Sequence, residues 1–73
     1  MANEALKGAL PALFPTIASR LKKAHDIAAA AGACAALGNQ EGAFRILLDV
    51  EEYTSDATTL LNAAGLIRRE SEE

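Results

Sequence analysis

The sequence predicts an all-α protein, an antiparallel helical hairpin preceded by a short helix. Three observations carry this. Alanine and leucine, among the strongest helix formers, dominate the chain, while aromatic residues make up only 4% of it. No window shows the strict apolar–polar alternation of a half-buried strand. Two long segments each carry an unbroken apolar series at alternating steps of three and four residues, the spacing of one helix face.

The first element is predicted over about 3–10, in "NEALKGAL", with Leu6, Ala9 and Leu10 at helical spacing and Asn3 as its N-cap. Pro11 lacks an amide and crowds the preceding turn, so this helix is expected to stop or kink near Leu10. Pro15 suits the first position of a new helix, predicted over about 15–37. Its seam reads Phe14, Ile17, Leu21, Ala24, Ala28, Ala31 and Ala35. Gly38 fits the left-handed position after a helix end, and Asn39 can cap the next helix at once.

The last helix is predicted over about 40–69, some 45 Å at 1.5 Å per residue. Its seam is Ile46, Val50, Tyr53, Ala57, Leu60, Ala64 and Ile67. The series crosses Thr54, Ser55 and Asp56 without a phase slip, so those residues are read as helical despite their turn-like chemistry. The acidic tail 70–73 is expected to fray. Folding the two helices back at Gly38 and Asn39 opposes Leu21 to Ala57, Ala24 to Tyr53 and Ala31 to Ile46, large against small in most layers. Arg20, Lys22 and Lys23 then lie alongside Glu51, Glu52 and Asp56.

At 73 residues the chain is one domain, 1–73, and a monomer of that size has a marginal core. Cys34 is the only cysteine and His25 the only histidine. An internal disulfide and a zinc cluster are therefore ruled out, and no cofactor motif occurs. Stability must then come from helix packing or from another chain.

The stretch "IAAAAGACAALGN" sharpens that expectation. From Ala28 to Ala36 nothing is larger than cysteine, and no charge appears between Asp26 and Glu41. A solvated helix face normally carries charge, so close neighbours are expected on more than one side. Ala30, Ala33, Cys34, Leu37, Phe44, Leu47 and Leu48 are the predicted contact surface of a homodimer closing a four-helix-bundle-like core.

Chemistry-bearing residues are sparse. "AHDIAAAAGA" resembles the active helix of histidine-phosphotransfer domains over about ten residues. That family places lysine and glycine where this chain has Ala28 and Ala29. "LGNQEGAFRILLDVEE" is similar to the turn and second helix of a tetratricopeptide repeat at Gly38, Ala43 and Leu47, without a second copy. Asp49, Glu51, Glu52 and Asp56 are spread along a helix and read as a solvated face.

Charge divides unevenly. Residues 1–39 sum to +2 and residues 40–73 to −5, for a net −3. Arg20, Lys22, Lys23 and His25 form the one basic patch, but the acidic balance and the lack of interleaved aromatics disfavour nucleic acid. The alanine run is too short to cross a bilayer, and the N-terminus shows no secretory pattern, so a cytoplasmic location is expected. The expected function is non-enzymatic: an adaptor, inhibitor or regulatory subunit that self-associates and binds another protein. The alternative is a small DNA-associated regulator or antitoxin-like protein using the basic patch.

Overall fold

The computed structural model describes the backbone of residues 2–72 and the side chains of residues 8–70. It contains helices α1 (Ala2–Ala36), α2 (Gln40–Leu48) and α3 (Val50–Glu72), with no strand among the described residues. α1 packs antiparallel against α2 and α3, giving a hairpin 57 Å long and 14 by 12 Å across. The all-α class and the hairpin are as the sequence indicates.

The turn is built by backbone hydrogen bonds that close α1. The Asn39 amide donates to the Cys34 carbonyl (3.2 Å) and the Gly38 amide to the Ala35 carbonyl (2.9 Å). This paired closure needs a left-handed residue, and Gly38 supplies it with φ +92°. Asn39 then caps α2, its side-chain oxygen accepting from the Gly42 amide at 2.9 Å. A Cβ on Gly42 would lie within 3 Å of that asparagine side chain, so the glycine leaves room for the cap.

Two boundaries differ from expectation. No separate helix spans 3–10: α1 continues through Pro11 and Pro15 as one element. An interior proline forfeits one backbone hydrogen bond and clashes with the carbonyl four residues earlier, at a cost of about 3 kcal/mol. Here both prolines are exposed, so the damaged turns lie on the solvent side. The buried side keeps its phase, with Leu10, Leu13 and Ile17 all half-buried. Leu10 and Phe14 line a groove with Leu61, Ala64 and Gly65 in the second half of α3, a packing that a break at Pro11 would give up.

The predicted helix 40–69 is interrupted once, at Asp49. There the amide donates to Ile46, three residues back, in a tightened turn (3.1 Å) rather than a loop. Thr54, Ser55 and Asp56 are helical, as the seam requires. The Thr54 hydroxyl donates back to the Val50 and Glu51 carbonyls, which keeps a turn-prone side chain inside the helix. Of the acidic tail expected to fray, the backbone of 70–72 belongs to α3, and Glu73 lies outside the described residues.

The seam itself is turned by one residue on α1. Ile17, Ala24 and Ala31 face α2 and α3 as expected, but the second row is Leu13, Arg20, Ile27 and Cys34. Phe14, Leu21, Ala28 and Ala35, expected in the seam, are exposed. The cause is steric. Ala24 and Ala31 on α1 interdigitate with Ala43, Ala57 and Ala64, and these alanines are each at most 8% exposed. Small residues in one row let the backbones close up there, which tips the larger residues next to that row out of the contact. On α2 and α3 the expected positions all hold.

Pro15→Ala tests the continuous helix. Removing a mid-helix proline is expected to raise stability by about 1–3 kcal/mol. A first-turn proline would give no gain, and urea denaturation separates the two. Gly38→Ala is expected to cost about 1–2 kcal/mol because a Cβ is disfavoured at positive φ. Ala24→Leu should cost roughly 1–3 kcal/mol by overpacking the alanine row, against less than about 0.5 kcal/mol for exposed Lys23→Ala. Equal thermal shifts for these last two would mean the seam lies elsewhere.

Candidate interaction surface

Every residue buried among the described ones is an alanine, and no large side chain is fully buried. Phe14, Leu21, Leu37, Phe44, Leu47, Leu48, Leu61 and Leu66 are all between 44% and 88% exposed. Helix periodicity sorts them. Phe14 and Leu21 follow the seam positions Leu10 and Ile17 by four residues, as Leu47 and Leu61 follow Ala43 and Ala57. In an antiparallel pair these positions share one side of the seam, the front. The grooves there show it directly: Ile17 and Leu21 line one with Thr54, Ala57 and Leu61, and Leu10 and Phe14 line the other with Leu61 and Gly65. The opposite side, the back, has a groove lined by Thr16, Arg20, Asp56, Thr59 and Leu60.

The seven residues expected to form one contact surface do not share a side. Phe44 and Leu47 belong to the front, next to Gly32 and Ala28. Ala30 and Ala33 are exposed along the back, and Leu37 extends from them at the turn. Leu48 lies on the outer face of α2. Cys34 is half-buried in the seam, with its thiol 3.5 Å from the Asn39 carbonyl. The sequence reading places Phe14 and Leu21 in the seam and does not single out Leu61, so all three are missing from its contact surface.

The basic patch is dispersed around α1. Arg20 lies in the seam, where its Nε approaches the Asp56 carboxylate at 3.6 Å. Lys22 turns outward and pairs with Asp26 one turn on, at 3.2 Å. Lys23 is on the back and His25 on the front, both exposed. Of the cross-helix charge pairs expected, Arg20 with Asp56 is formed. Both its side chains are about half exposed, so it contributes little stability but marks the register.

Among the described residues no group of histidine, cysteine and carboxylate side chains could hold a metal ion. The three grooves are shallow furrows along the helix contact. Among the described residues no helix is long and apolar enough to cross a membrane. The chain matches no protein-family model, no curated protein and no solved structure.

Proposed function

We propose that this chain is a non-enzymatic helical-hairpin protein that acts by protein–protein contact and self-associates, as an adaptor, inhibitor or regulatory subunit. One observation carries the reading: the hairpin buries alanines and leaves its large apolar side chains exposed. Its accessible surface is 5360 Å², whereas a compact monomer of 7.6 kDa exposes about 4,300 Å². Exposed large apolar side chains of this kind mark an interaction site. The dispersal of Arg20, Lys22, Lys23 and His25 around α1, with two of the four in ion pairs, weakens the nucleic-acid alternative.

Sedimentation equilibrium at micromolar concentration tests the reading. The expected mass is a multiple of the 7.6 kDa chain, and the midpoint of thermal unfolding should rise with protein concentration because folding and association are linked. A 7.6 kDa particle with a concentration-independent midpoint would remove it.

A further inference from the structure

We propose that a second copy of this chain covers the front of the hairpin, around Phe14, Leu21, Leu47 and Leu61, with the two turns at the same end, to form a four-helix bundle. This rests on the self-association reading and names its surface and geometry.

Area is the first argument. The excess over a compact monomer, about 1,100 Å², is close to what one partner contributes to a standard interface, about 800 Å². The front is also the side that can lose water cheaply. Among the described side chains, the ionisable groups along it are His25, Glu51 and Arg68, whereas the back carries Lys23, Asp26, Arg45, Asp49, Glu52, Asp56 and Glu70.

The glycines supply an independent argument. Gly32 and Gly65 sit inside helices, where glycine costs about 1 kcal/mol relative to alanine. Within the hairpin neither has a reason to lack a side chain, since a Cβ at either position would meet nothing within 4 Å. Both lie on the front, as do both phenylalanines.

Orientation follows from matching the levels along the hairpin. With the turns at one end, each α1 lies over the partner's α2 and α3 at equal distance from the turn. Phe44 then falls on Gly32 and Leu47 on Ala28, and His25 comes beside Glu51. With the turns at opposite ends, each α1 lies over the partner's α1 and each α3 over the partner's α3, so Phe44 and Leu47 no longer face Gly32 and Ala28. The first arrangement sets Phe44 and Leu47 against small residues and keeps the two Glu51 carboxylates apart.

Sedimentation equilibrium on the full chain is the first measurement, with expected mass twice 7.6 kDa. A monomer would remove self-association itself; a trimer or larger particle would remove the two-copy bundle alone. Leu61→Glu should weaken dimerisation about thirtyfold or more, as a central interface side chain does. Gly32→Leu should do the same while the hairpin, which has open space there, stays helical by circular dichroism. Ala33→Glu and Leu66→Glu, on the back, should leave the dimer intact. Dimers split by the back variants and not by the front ones would place the contact elsewhere. For orientation, a spin label at Leu37→Cys in a Cys34→Ser background reads the distance between turns. A separation well under half of the 57 Å hairpin length is expected, and one near the full length would overturn the shared-end arrangement.

Discussion

A row of methyl groups governs the architecture. Ala24 and Ala31 on α1, and Ala43, Ala57 and Ala64 on α2 and α3, recur at multiples of seven residues and interdigitate along the seam. Alanine brings little apolar area to a contact. What it provides is proximity: two backbones close up along one row while larger residues such as Ile27, Ile46 and Leu60 flank it half-buried. Two consequences run through the molecule. The single hairpin is held by a thin contact, and many bulky side chains lie outside it, with Phe14, Leu21, Phe44, Leu47 and Leu61 along the front. The same choice that makes the pair narrow makes it incomplete.

Around that contact, polar groups fix position more than they add stability. The bonds from Asn39 to Cys34 and from Gly38 to Ala35 end α1 at one place, and the Asn39 side chain starts α2 one residue later. With so short a connection the two arms have little freedom to slide. Arg20 and Asp56, well along from the turn, meet across the seam in the register the turn dictates. Every exposed ion pair of this kind is weak in water, but it disfavours a parallel or shifted pairing of the same helices.

Much of the hairpin was legible in the sequence because its signals are local. Gly38 and Asn39 have one obvious use between two helices, and the series from Ile46 to Ile67 overrode the turn-like Thr54, Ser55 and Asp56. What the sequence concealed depended on tertiary context. Pro11 and Pro15 look like boundaries, and only the packing of Leu10 and Phe14 along the second half of α3 explains why the helix continues past them. Periodicity could not tell Phe14 and Leu21 from Leu13 and Arg20 as the second seam row, because an arginine is a poor seam candidate until Asp56 is seen beside it. That one-residue rotation also decided the candidate surface. Phe44 and Leu47 were identified from sequence, while Phe14 and Leu21 were assigned to the seam and Leu61 was not singled out. The run from Ala28 to Ala36 contributes to three different surfaces, which no reading of it as a single patch could separate.

The turn at Gly38 also determines the order in which the chain can be closed. Contacts next to it join residues close in sequence, and each step outward adds two residues to the loop already closed. The entropy of that closure grows only slowly with length, so once the turn and the Ala31 and Ala43 layers form, the arms can zip outward without a large new barrier. Such a topology belongs with the fast-folding helical proteins of low contact order. The far end, where Leu10 and Phe14 lie over Leu61 and Gly65, is last to close and first to open. Phe14, Leu61 and Leu66 thus lie in the half that closes late, whereas Phe44, Leu47 and Leu48 sit beside the turn that closes first.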